Sequence, residues 1–138
     1  MLAPFHKYEL EFGSEWIIGH AESKTRSAMT YTNLSDLPVK SPFPGWRGQF
    51  VRSAGMTFVY WDVLAGTILP EHSHPHEQVA HTFAGEFEII VDGVTQVLRA
   101  GSVCVIPPNA VHSGRAITDC RILDVFCPVR EDYIPFER

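Results

Sequence analysis

From Thr57 onward the chain alternates short runs rich in β-branched and aromatic residues with clusters of Gly, Pro, Asn and Asp. Thr57 to Leu64, Glu86 to Val91, Val94 to Leu98, Val103 to Ile106 and Arg121 to Cys127 have the length and composition of strands, because such side chains pack well on a pleated surface. Asp92-Gly93 separates two of them and is a strong two-residue hairpin signal. Pro107, Pro108 and Asn109 follow another run, a turn that folds the next strand back. In the last run, Ile122, Asp124 and Phe126 share one face, while Arg121, Leu123 and Val125 take the other. Helix is scarce, and the sequence contains neither an internal repeat nor a low-complexity tract. Many short strands at this spacing predict an all-β protein, a double-sheet barrel or jelly roll closed around its inward-facing residues.

Composition narrows the class of partner. With 138 residues, 45% hydrophobic and 20% charged, the chain is long enough for one core and too short for two comfortable domains. The net charge of -5 argues against nucleic acid. No apolar run reaches membrane-spanning length, and no basic segment followed by a hydrophobic core and cleavage site stands at the N-terminus, so a cytoplasmic address is expected. Three cysteines, Cys104, Cys120 and Cys127, cannot all pair within one chain, and their strand-like surroundings predict reduced, buried thiols.

The chemistry concentrates in Gly66 to Gly85, GTILPEHSHPHEQVAHTFAG. If Leu69 to His74 is extended, His72 and His74 share a face and can bind one ion together. Pro75 disfavours helix before it, so a turn over Pro75 to Glu77 allows Gln78 to begin a returning strand and direct its amide oxygen to the same ion. His112, beyond the Pro-Pro-Asn turn, supplies a fourth ligand. Three nitrogens and one oxygen suit a first-row transition metal better than calcium or magnesium, without selecting among zinc, nickel, manganese, iron and cobalt. His6 and His20 have no partners at ligand spacing. Alternation turns His81 away from Gln78, with Val79 and Phe83, and His76 falls in the turn, at the pocket mouth or in solvent.

These residues resemble the two motifs of the cupins. The first, G-x5-H-x-H-x3-E-x6-G, runs here through Gly66, His72, His74, Gln78 and Gly85, with Gln in place of Glu. The second, G-x5-P-x-G-x2-H-x3-N, runs through Gly101, Pro107, Asn109, His112 and Ala116. Asn replaces the middle Gly and Ala the final Asn; Asn also tolerates positive φ. The resemblance implies a cupin double-stranded β-helix that binds one divalent transition metal ion.

With HSHPHEQ and the Gln ligand, the later segment LDVFCPVRED is similar to the pectin-degradation cupins that linearise unsaturated uronates, a resemblance running from about Met29 to Tyr133. It implies a small anionic sugar-acid substrate, the 4,5-unsaturated monouronate released from pectin or alginate oligomers, and a linear 5-keto-4-deoxyuronate product. It places the metal on His72, His74, Gln78 and His112, and the catalytic Asp, aromatic and Arg on Asp124, Phe126 and Arg130. Four neutral ligands leave the ion its full positive charge, which favours an anionic substrate. Asp124 is the acid/base candidate, Arg130 the carboxylate anchor and Phe126 the surface against the ring. Two other classes use the same residues differently: a dioxygenase acting on a chelating enol or diketone, and a sugar-acid binding cupin without catalysis.

Met29 opens the stretch that resembles the start of small cupins, so residues 29–138 are expected to form the domain and residues 1–28 an extension or added strand. Phe5, Tyr8, Phe12 and Trp16 argue against a wholly solvated extension. Pairing of Phe12 to His20 with a neighbouring sheet edge makes a homodimer the expected assembly.

Overall fold

Residues that alternate in the sequence also alternate between core and solvent. In Thr57–Val63 the buried positions are Thr57, Val59, Trp61 and Val63, and in Cys120–Cys127 they are Cys120, Ile122, Asp124 and Phe126. The structure, a computed structural model, describes residues 29–137. The strands among them are β1 (Lys40–Phe43), β2 (Trp46–Arg52), β3 (Thr57–Val63), β4 (Ile68–His72), β5 (Glu77–Ala84), β6 (Phe87–Val91), β7 (Val94–Leu98), β8 (Val103–Ile106), β9 (His112–Ala116) and β10 (Cys120–Cys127). Short 3-10 helices at Leu34–Asp36 and Glu131–Phe136 flank them. A six-stranded antiparallel sheet has the order β1-β2-β3-β10-β5-β8, and a four-stranded one the order β4-β9-β6-β7. No helix among the described residues is long and apolar enough to cross a membrane.

The core between the sheets is aromatic at one end. Trp46 meets Trp61 and Phe87 edge-on, and Trp61 meets Phe50 in the same manner, with centroid separations of 5.3, 6.0 and 5.4 Å. Val59, Ile89, Leu98, Ile106 and Ile122 continue it. The Trp61 ring occupies space left by Gly48, its partner in the β2–β3 register, where any Cβ would collide with the indole.

All five strand-like runs are strands, with boundaries shifted by at most one residue. Asp92 and Gly93 both adopt positive φ, at 46° and 81°, and join β6 to β7 through the expected hairpin. Asn109, at the motif position usually held by Gly, has φ 64°. Two expectations need correction. The extended segment ends at His72, not His74, because the β4–β9 register is irregular between Leu69 and His72 and the chain then leaves the sheet. The thiols are not uniformly buried: Cys120 is, Cys104 is half-buried, and Cys127, pointing outward at the end of β10, is exposed. The expectations for His6, His20 and the aromatic positions before Met29 lie outside the described residues.

Gly85 closes the β5–β6 turn at φ +83°, and a Cβ there would run into the Asp119 carbonyl. Gly85→Ala is therefore expected to cost about 2 kcal/mol or more, measured as a lower urea midpoint with an unchanged slope.

Candidate active site

The four ligand candidates arrive from three strands and one loop. His72 ends β4 directly opposite His112, the first residue of β9. His74 comes from the following loop, pinned by a 2.8 Å hydrogen bond from the Asn109 N–H to its carbonyl. Gln78, near the start of β5, points inward and is 6% exposed. One ligand nitrogen from each of His72, His74 and His112 lies within 4.8 Å of the others.

The ring orientations suit a metal ion. Each Nδ1 lies against a main-chain carbonyl: His72 with Pro70 at 2.7 Å, His74 with His76 at 3.1 Å and His112 with Ala110 at 2.9 Å. With Nδ1 donating, each neutral ring keeps its lone pair on Nε2. His112 Nε2 is buried without a hydrogen-bond partner, and His74 Nε2 lies 3.2 Å from Gln78 Oε1. Two acceptors facing one another and a third without a donor call for a cation between them. Burial and then the nearby Arg130 charge lower the His74 pKa to about 4, and burial also lowers that of His112. Both rings are thus neutral near pH 7, as metal ligation demands. The donor set fits a first-row transition metal.

Asp124 lines the same pocket as His72, Gln78 and His112. Its burial raises the pKa from 3.8 to about 6, against the opposing pull of hydrogen bonds from Gln78 and Trp61 and of the Arg130 charge. The Trp61 indole N–H donates to Oδ2 at 3.0 Å. Arg130 follows β10 and is buried, its main-chain N–H donating to Thr57 Oγ1 at 3.0 Å. Its guanidinium lies over Phe126 and Tyr133, 4.9 and 4.2 Å from the ring centroids. Asp132 engages it through Nε and Nη2, at 2.8 and 2.6 Å. Phe126 is a buried spacer, with His74 on one side at 5.6 Å between centroids and Arg130 on the other. The pocket opens into a groove of about 800 Å³ whose walls include Phe43, Trp46, Leu69, His72, Arg130 and Tyr133.

All seven residues singled out in the sequence therefore border one site. His81 faces away against Phe83, and His76 belongs to a separate surface depression with Pro75, Pro128 and Asp132. Cys104 is outside the cluster of nitrogen ligands. Trp61, Asp132 and Tyr133 escaped the sequence reading. Trp61 carried a signal, an indole placed among the inward positions of a strand, but its partner depends on the β3–β10 register.

The fold and the site together define a cupin. Residues 59–126 match the cupin domain family, so this part of the chain is a cupin domain. The pectin degradation protein KdgF of Dickeya dadantii (strain 3937) is 31% identical over 71 residues, half of this chain; the match spans 64% of that relative's length. An RmlC-like cupin from Shewanella frigidimarina NCIMB 400 superposes with a TM-score of 0.73 at 28% identity, covering 78% of this chain and 97% of the other. KdgF from Halomonas sp. shares the fold, with a TM-score of 0.73 at 23% identity over 78% of this chain and 100% of its own.

The buried carboxylate has a pH signature in metal-free protein. Because the folded pKa lies above the unfolded value, stability from this group is fully present below pH 3.8 and is lost as pH rises through about 6. A shift of about two units corresponds to about 3 kcal/mol. His74 acts with the opposite sign: stability is present above pH 6.5 and is lost as pH falls toward about 4. Urea titrations of chelated protein should show the Asp124 loss between pH 4 and 7 in wild type and its disappearance in Asp124→Asn.

Proposed function

We propose that this protein is a metal-dependent enzyme that opens the ring of 4,5-unsaturated monouronates and converts the product to the linear 5-keto-4-deoxyuronate. The observation that carries this reading is Asp124, a buried carboxylate in the pocket lined by His72, His112, Gln78 and Arg130, where burial raises its pKa to about 6. The similarity to a pectin degradation protein supports the substrate class.

The reaction needs proton movement and no redox change. The O1–H bond and the C1–O5 ring bond break, C1=O forms, and the enol left at C5 becomes a ketone as C4 receives a proton. A bound metal ion would supply Lewis acidity and orientation for the substrate oxygens. A carboxyl group with a pKa near neutrality can accept the first proton and deliver the second. Trp61 holds Oδ2 of that group through its indole N–H, which leaves the other oxygen for proton transfer. Arg130, packed against the Phe126 and Tyr133 rings, presents its remaining N–H groups to the substrate carboxylate.

The test is the decay of the unsaturated uronate's ultraviolet absorbance, corrected for spontaneous ring opening, with oxygen uptake followed in parallel. Metal-loaded protein should accelerate the decay without consuming oxygen, and chelation should abolish the acceleration. Asp124→Asn should lower kcat by about 100-fold, whereas Arg130→Ala should mainly raise KM. Stoichiometric oxygen uptake would instead establish an oxygenase, and saturable uronate binding without product would establish a binding module.

A further inference from the structure

A cupin motif usually places a carboxylate where this chain has Gln78, and the surroundings of Gln78 give a physical reason for the amide. Across the β5–β10 ladder Gln78 pairs with Phe126 and Ala80 with Asp124, so Gln78 and Asp124 are diagonal neighbours on the inward face. Trp61 pairs with Ile122 on the other edge of β10, diagonal to Asp124 from the opposite side. Asp124 accepts the indole N–H on Oδ2, and the Gln78 side chain lies beside it in the same pocket as its diagonal neighbour from β5. Gln78 Oε1 faces the histidines, 3.2 Å from His74 Nε2. Trp61, Asp124 and Gln78 are each less than 9% exposed, so water is a poor substitute for a mismatched partner.

We propose that Asp124, itself fixed by Trp61, sets the direction of the Gln78 amide, so that the N–H₂ group points at the carboxylate and the oxygen points at the metal position. Asp124 and Trp61 are then positioning residues for the metal, in addition to any part Asp124 takes in proton transfer. The inference rests on reading His72, His74, Gln78 and His112 as the metal ligands. An ionised carboxylate only accepts hydrogen bonds, so it selects one of the two orientations of a neighbouring amide. A glutamate at position 78 would set acceptor against acceptor and place two carboxylates in contact, forcing one to retain a proton. The amide avoids both conflicts while keeping an oxygen for the ion.

The donor arithmetic predicts a reversal. In Asp124→Asn the indole N–H still requires an oxygen, so the new side-chain N–H₂ turns toward residue 78. Gln78 must then offer its oxygen to Asn, which directs its own N–H₂ at the histidine nitrogens and at the ion. Gln78→Glu added to Asp124→Asn restores the match: one carboxylate oxygen accepts from the Asn amide and the other faces the metal.

The experiment is competition for Zn²⁺ and Co²⁺ against a chromophoric chelator, with far-ultraviolet circular dichroism and cooperative thermal melting to confirm folding. Asp124→Asn should weaken metal binding about 10-fold or more. The Gln78→Glu/Asp124→Asn double variant should return to within about threefold of wild type, a non-additivity that general disruption of the pocket does not produce. Trp61→Phe, which keeps a ring in the aromatic core but removes the N–H, should weaken binding less than Asp124→Asn. Should Asp124→Asn not fold, the folded double variant and Trp61→Phe carry the comparison. Wild-type protein that binds neither ion overturns the metal reading and this inference together. Wild-type protein that binds metal, with Asp124→Asn unchanged or the double variant weaker than Asp124→Asn, overturns this inference alone.

Discussion

Strand β10 lies between β3 and β5, hydrogen-bonded along both edges, and the site depends on this placement. A central strand has no freedom to turn its inward side chains toward water, so Asp124 is buried by the register itself and must find partners on neighbouring strands. Trp61 on β3 donates its indole N–H, and Gln78 on β5 stands as the diagonal neighbour on the other side. The consequence reaches the metal position because Gln78 also borders the histidine cluster. Packing, carboxylate acidity and ligand orientation are therefore set by one set of cross-strand neighbours.

Much of this was legible in the sequence because period-2 patterning survives wherever one sheet face is buried. The face shared by Ile122, Asp124 and Phe126 required only strand alternation. The convergence of His72, His74 and His112 was legible through their spacing and the two motifs. Strands β1 and β2 were not, since Pro42 interrupts one and Gly48 the other. Pro42 is tolerated because β1 is an edge strand, and Gly48 is required by the Trp61 ring; neither fact is visible without the pairing. The irregular end of β4 was hidden for the same reason. His72 and His74 converge through a loop tied to Asn109, not through alternation along a single strand.

The histidine tautomers follow from backbone geometry. Three Nδ1 atoms rest against carbonyls of residues within two positions in the chain, so the local conformation of each segment orients its own ligand. This leaves the inner nitrogens without local partners and concentrates acceptors in one small volume. Neutral rings and a neutral amide contribute no charge to offset an ion, so the negative charge close to it comes from Asp124. The same burial that raises the Asp124 pKa therefore works against the field of a bound cation, which favours the ionised form. The two influences together determine the proton occupancy available for chemistry.

Arg130 meets the complementary problem of a cation in a low-dielectric wall. Its side chain is 11% exposed, packed against Phe126 and Tyr133, and paired with Asp132, whose side chain is 58% exposed. Asp132 grips the guanidinium through two N–H groups, at 2.8 and 2.6 Å, and so compensates its buried charge. The aromatic rings, which carry no counter-charge, add cation–π attraction to this pairing. In the proposed reaction a substrate carboxylate approaching from the groove would meet the N–H groups that Asp132 leaves free.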